Sequence, residues 1–335
     1  MKLLIPSNQK ELAERSIWFK KPIALKLKEE KGVEFGFEIK EPLSYLKRAP
    51  DAFWGLHLPN NFATVWYYYP KKRKELMRMA KRLGKLKPNY AVLHGIHLTW
   101  EPPAREYIHR YFNRSDSAEY FKVFRAQTKL LRELKKYLPV RMENYPLDGY
   151  YMKGKKHLPE TYLYTGAGRF YDLLYFKRHT NADILIDVEH LWHILNLLNR
   201  NKNYANLPID KFEGLTEGDK KLSQIFGFDI KKYFIPHLKK KITIEEAIKR
   251  FKAKYYHLSG SSQAIIPGKK VVSHLPITPG NKTFIRTLKA VLAQKPEVLV
   301  MEVASKTDGP AWNYLRTNEA ERSFENLCGI LLDEL

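Results

Sequence analysis

The stretch ILIDVEHLWH, residues 184–193, decides how the chain is read. Three β-prone apolar residues, Ile184, Leu185 and Ile186, run directly into Asp187, Glu189, His190 and His193. Neither strand alternation nor helical spacing by itself gathers acids and histidines at one end of an apolar run. A strand that carries polar groups at its C-terminal tip would do so. The plainer alternative is a buried strand running into a helix that Asp187 caps by accepting backbone N–H bonds.

Outward from 184–193, a short β-rich run followed by a longer helical pattern recurs along the chain. The candidate strands are VEFGFEI (33–39), AFWGLHL (52–58), YAVLHGIHL (90–98), VRMENY (140–145), DILIDVE (183–189), KYYHLS (254–259), KVVSHLPI (270–277) and VLVMEV (298–303). Apolar residues at helical spacing fill 71–85, 117–137 and 316–333. Eight β units alternating with helices predict an α/β fold, a single (β/α)8 barrel over residues 1–335. An open doubly wound sheet is the second reading, but the glycine-rich turn it usually carries after its first strand is missing there. Residues 200–243 break the rhythm and are expected to form an irregular insertion in that barrel.

The ends of seven consecutive candidate strands carry ionisable groups: His57, His94 with His97 behind it, Glu143, Asp187 with His190, His257, His274 and Glu302. In a barrel these ends converge on one mouth, where such proteins place their chemistry. Any one of them has an ordinary explanation, since a lone histidine at a strand end is more often a hydrogen-bonded packing residue. Seven in succession are harder to explain so, because burying that many ionisable groups is costly unless they pair or hold a cation. Imidazole and carboxylate ligands without sulfur suit Zn, Mn, Fe or Co.

Composition bounds the partners. The 335 residues hold 59 Lys+Arg against 36 Asp+Glu, a formal charge of +23. That excess favours polyanions, nucleic acid first and an anionic membrane surface second. A heat-adapted surface is the bland alternative, though such surfaces usually raise Glu together with Lys. The single cysteine, Cys328, excludes a disulfide framework and a cysteine-based metal site, and is expected to be buried in the last helix. MKLLIPSNQKELAERS at the start lacks a signal-peptide core, and no run reaches the roughly 18 apolar residues of a membrane span. A cytoplasmic protein is expected.

The motifs LHLPNNF (56–62), VLHG (92–95), RMENYP (141–146), IDVEH (186–190), YYHLSGS (255–261) and VLVMEVASK (298–306) together resemble the xylose-isomerase-like barrel superfamily, and within it the endonuclease IV and UV-damage endonuclease branches. The resemblance covers about residues 33–305 through short motifs, not through continuous similarity. It implies that Glu143 bridges two metal ions, that His57 and His94 complete the first site, and that Asp187, His257 and Glu302 complete the second. It implies a third ion held by His190 and His274. There the chain departs from the pattern: Val272 stands where endonuclease IV has an aspartate, and Tyr255 where the UV-damage enzymes have a modified lysine. Asp148, Glu189 and His193 are the nearby groups that could substitute.

Two or three divalent ions, Zn or Mn, held by a shared carboxylate could activate water and stabilise both reacting oxygens of a phosphodiester. The expected activity is therefore that of a metal-dependent hydrolase, and the resemblance implies a DNA repair-type endonuclease cutting the backbone near abasic or damaged sites. Glu143, Glu302 and Asp187 are its expected catalytic residues, with Glu302 or Asp187 orienting the water. The alternative is a sugar or sugar-phosphate isomerase or epimerase, which needs one metal held by Glu143, Asp187, His257 and Glu302 and a glutamate pair for proton exchange. A barrel that binds nucleic acid without catalysis is a third reading. Around the mouth, Asn60, Asn61, Phe62, Gln263 and Lys306 are the expected substrate contacts. The aromatic and basic run from Trp66 to Lys74 is read either as base-stacking and phosphate-holding or, more simply, as helix packing with a wet lysine face.

Overall fold

Eight short apolar runs pair side by side in parallel and close into a barrel. A computed structural model describes the chain apart from residues 9–10, 41–45, 99–116, 145–162, 165–169, 193–194, 196–242, 261–273 and 304–317. The strands are β1 (Lys2–Ser7), β2 (Glu34–Ile39), β3 (Phe53–His57), β4 (Tyr90–Leu93), β5 (Val140–Glu143), β6 (Asp183–Asp187), β7 (Tyr255–Leu258) and β8 (Val298–Met301). Each pairs with its neighbours in sequence, and β1 closes the ring against β8 through Lys2↔Val298, Leu3↔Leu299 and Leu4↔Val300.

The predicted number of strands holds, but their membership shifts. KLLIPS was not among the candidate runs, because three apolar residues interrupted by Pro6 are too short to separate from a helix lead-in. Paired to β2 on one side and β8 on the other, it is nonetheless the first barrel strand. KVVSHLPI supplies no strand among its described residues, 274–277, and 270–273 lie outside them. His274 has φ 54°, in the left-handed region that an extended strand does not visit. His97 pairs with Tyr164 in a separate two-stranded ribbon and is not part of β4. The predicted insertion at 200–243 falls almost wholly outside the described residues.

Alternation along the strands sorts side chains into two cores. Leu4, Tyr90, Val92, Leu185, Tyr255, Val298 and Val300 pack on one another, with Phe53 against them, and plug the barrel interior. The alternate positions, such as Leu3, Leu56, Leu93, Ile184, Ile186, Leu299 and Met301, face the helices in the larger core. Gly55 makes the plug possible: a Cβ there would lie 2.2 Å from the Tyr90 ring. The helix Phe62–Tyr68 buries Phe62, Trp66 and Tyr68, and Arg73 stacks over Trp66 at 4.6 Å while donating to its carbonyl. Trp66 and Tyr68 of that aromatic run are thus taken up by packing, while Lys71, Lys72 and Lys74 are exposed. Thr243 and Glu246 form a reciprocal capping box that starts Ile244–Phe251. The helix Asn318–Glu334 lies against Pro22–Lys31 and buries Cys328, whose thiol is pushed up to about 12 mainly by burial. No helix among the described residues is long and apolar enough to cross a membrane.

Candidate metal centre

The inward register of the strands continues past the apolar plug into a polar layer. Two residues beyond Gly36, Gly55, Val92, Arg141, Leu185, Tyr255 and Val300 stand Glu38, His57, His94, Glu143, Asp187, His257 and Glu302. All seven are buried, with Glu38 and His257 at 0% exposure. Parallel pairing places Asp187 level with His257 across β6 and β7. His190 follows Asp187 in the helical segment 188–192, and its backbone N–H donates to Asp187 Oδ1 at 2.9 Å, so the aspartate also caps that segment. Both opening readings of this stretch are thus true of one side chain.

Three adjacent groups of ligand atoms result, each spanning no more than 4.8 Å. His57, His94 and Glu143 form the first; Glu143, Asp187, His257 and Glu302 the second; Asp187, His190 and His274 the third. Within them His94 Nε2 lies 2.8 Å and His57 Nε2 3.3 Å from Glu143 Oε2. His257 Nδ1 lies 3.1 Å from Glu143 Oε1 and 2.7 Å from Glu302 Oε2. His190 Nε2 lies 3.5 Å from Asp187 Oδ2.

The outer contacts of the histidines say which nitrogens can coordinate. His57 Nδ1 meets the Leu58 carbonyl at 2.9 Å, and His190 Nδ1 meets the Asn144 carbonyl at 2.9 Å. A carbonyl only accepts, so both Nδ1 atoms carry a proton, and both Nε2 atoms face the carboxylates. This donor set fits divalent cations: imidazole nitrogens and carboxylate oxygens, buried and turned inward.

The electrostatics agree. The buried acids among the described residues are Glu38, Glu143, Asp187, Glu189 and Glu302, all in this region. Burial and the neighbouring charges of Glu302, Glu143 and Glu189 push the Asp187 carboxyl well above its ordinary range. Burial opposes the ionised form of Glu143 and of Glu302 too. His257 and His94 beside Glu143, and Lys40 and His257 beside Glu302, more than offset it and hold both well below that range. His257 is raised well above its ordinary value because Glu38, Glu302 and Glu143 outweigh its burial. His190, dominated by burial, falls to about 3.

Every predicted ligand, His57, His94, Glu143, Asp187, His190, His257, His274 and Glu302, is in one of the three groups. The third group obtains its carboxylate from Asp187, which sequence reasoning had spent on the second. Glu189 stands beside it, accepting at Oε2 from the His274 backbone N–H at 2.6 Å and from Ser259 Oγ at 2.5 Å. Tyr255 is no ligand: one layer deeper than His257, its ring packs on Tyr90 and lies under Arg141 at 3.4 Å. Asp148, His193, Val272, Gln263 and Lys306 lie outside the described residues. Asn61 is exposed and Asn60 half-buried, whereas Phe62 is 1% exposed in the main core. Its apolar ring is taken up by packing the helix it starts, which corrects its expected place at the mouth.

Sequence reasoning missed Glu38, Lys40 and Asn144. Glu38 and Lys40 stand two apart at the end of a strand that had been recognised, and the row of ionisable strand ends could have been extended to them. A groove of about 500 Å³ lined by Arg125, Lys129, Arg132, Lys136 and His179 is also basic. It is formed where two helices lead into the starts of β5 and β6, at the opposite end of those strands from the three ligand groups.

Fold and site together define a (β/α)8 barrel with a histidine–carboxylate centre at the C-terminal ends of its strands. No family model and no curated protein matches the chain. Among solved structures, it is similar to a xylose isomerase domain protein from Alicyclobacillus acidocaldarius subsp. acidocaldarius, at 14% identity and a TM-score of 0.44, over 99% of this chain and 98% of that one. It is also similar to a D-tagatose 3-epimerase-like protein, at 14% identity and a TM-score of 0.46, with the same coverage.

Proposed function

We propose that the chain is a metal-dependent enzyme that hydrolyses a phosphodiester, with the backbone of abasic or damaged DNA as its substrate. The observation that carries this reading is the sharing of ligands: Glu143 belongs to two of the three groups, and so does Asp187. Adjacent divalent ions, Zn or Mn, supply activation of water and stabilisation of the attacking and leaving oxygens. The chain's own contribution is placement. His57 and His94 hold one side of Glu143, while Asp187, His257 and Glu302 hold the other. The formal charge of +23 supports a polyanionic partner. Gln263 and Lys306 are proposed, with Asn60 and Asn61, as contacts to the substrate backbone.

A second reading has its own support. Glu143, Asp187, His257 and Glu302 form a four-residue group that suffices for a one-metal sugar isomerase or epimerase. The two solved structures above are described in isomerase and epimerase terms, and neither as a nuclease, although at 14% identity the likeness bears on the fold alone. In this reading Glu143 and Glu302 exchange a proton with the carbon beside a carbonyl. It leaves His57, His94, His190 and His274 without a ligand role, which places it second.

The test is a metal count on protein purified without added metal, followed by incubation with abasic, UV-irradiated and undamaged duplexes and with ketose and aldose sugars. Two or three ions per chain and nicking that Glu143→Gln abolishes support the hydrolase. One ion per chain, intact duplexes and sugar interconversion would replace it with the isomerase. DNA affinity unchanged by chelation, with no turnover, would point to a binding protein.

A further inference from the structure

We infer that Glu38 is a positioning residue, which holds the His257 ring so that Nδ1 is its metal-ligating nitrogen. The inference rests on the metal-binding part of the proposed function and not on which reaction follows. Glu38 lies at the C-terminal end of β2, fully buried, with its Oε2 3.0 Å from His257 Nε2. Tyr90 donates its phenolic hydrogen to the same oxygen at 2.7 Å. On the opposite edge of the imidazole, Nδ1 faces Glu143 Oε1 at 3.1 Å and Glu302 Oε2 at 2.7 Å, both members of the second ligand group. The two ring nitrogens therefore face different partners, and only Nδ1 faces other ligands.

The same division of labour holds for His57 and His190, where a backbone carbonyl takes the outer N–H. At His257 a buried carboxylate takes that place. A carboxylate accepting from the outer nitrogen fixes the tautomer and ring orientation and makes the inner nitrogen a better electron donor than a carbonyl partner does. Lys40 extends this support: its Nζ contacts Glu302 Oε1 and lies 3.8 Å from Glu38 Oε1, so the Glu302 oxygen left facing His257 is Oε2. The end of β2 thus supplies no ligand of its own. It braces two ligands of the second group from behind.

The test uses the full chain loaded with Zn or Co, comparing wild type, Glu38→Ala and Glu38→Gln. Chelator competition should show one ion held 10–100-fold more weakly in Glu38→Ala. The ion of the His57–His94–Glu143 group should be retained, and Glu38→Gln, which keeps an accepting oxygen, should recover most of the loss. Imidazole ¹⁵N spectra of the Zn-loaded wild type should show His257 protonated at Nε2 and coordinated at Nδ1, with that signature lost in Glu38→Ala. Unchanged affinity and tautomer in Glu38→Ala, or equal weakening of every ion with no recovery in Glu38→Gln, would overturn the inference. Wild type that binds no ion overturns the metal reading and this inference with it. Wild type that binds ions but nicks no duplex overturns only the proposed reaction.

Discussion

The Asn144 side chain adds a rung to the sheet beside Asp187: its Oδ1 accepts from the Asp187 backbone N–H at 2.7 Å, and its Nδ2 donates to the Asp187 carbonyl at 2.8 Å. β5 has ended at Glu143, so the amide imitates the backbone exchange of a strand pair one residue further on. It fixes the backbone from which Asp187 reaches two ligand groups.

Asn144→Ala should therefore do more than a surface change. Removing the side chain leaves the buried Asp187 N–H unpaired and takes a donor from its carbonyl, a cost of about 1–3 kcal/mol. Urea unfolding should record that loss. Ions bound through Asp187 should also dissociate faster than the ion of His57 and His94. Unchanged stability together with unchanged dissociation would show that the rung is idle.

Ligand sharing predicts unequal losses of metal. His94→Ala touches one group and should remove about one ion per chain, by depleting a site of three protein ligands. Glu143→Ala and Asp187→Ala each touch two groups and should remove about two. Elemental analysis after gel filtration checks this. Equal losses in all three variants would contradict the shared arrangement.

Acid stability of the chelated protein should carry the mark of His190. Its folded value near 3, set chiefly by burial, lies below the ordinary 6.5, so the unfolded chain takes up the proton first. The neutral ring's contribution is intact above pH 6.5 and is lost as pH falls towards 3, at up to about 1.4 kcal/mol per pH unit. His94, also lowered by burial, adds to the same limb. Unfolding curves from pH 7 to pH 4 should be less steep in pH for His190→Gln than for wild type. Parallel slopes would count against it.

Gly55→Ala tests the barrel plug. A methyl group 2.2 Å from the Tyr90 ring must move it, and overpacking of this kind costs about 1–3 kcal/mol. In a Tyr90→Ala background the same change should cost much less, and a double-mutant cycle measures the coupling. Additive costs would place the strain elsewhere.

What the sequence by itself determined is the barrel and the residue types gathered at the C-terminal ends of its strands. Strands buried on both faces must be short and apolar, and the change from apolar run to His, Asp or Glu marks the same end of each. Six of the eight proposed ligands, His57, His94, Glu143, Asp187, His257 and Glu302, lie in the three groups because that mark follows from local chain order. Tertiary structure alone decided the rest. KLLIPS is a strand because β2 and β8 flank it, and His274 reaches the mouth from a left-handed turn with no periodic signature. Asp187 serves two groups, Asn144 completes a ladder, and Glu38 stands behind His257 across 219 residues of chain. These are distances between elements, and period-two alternation specifies which face a side chain takes but not which side chain it will meet there.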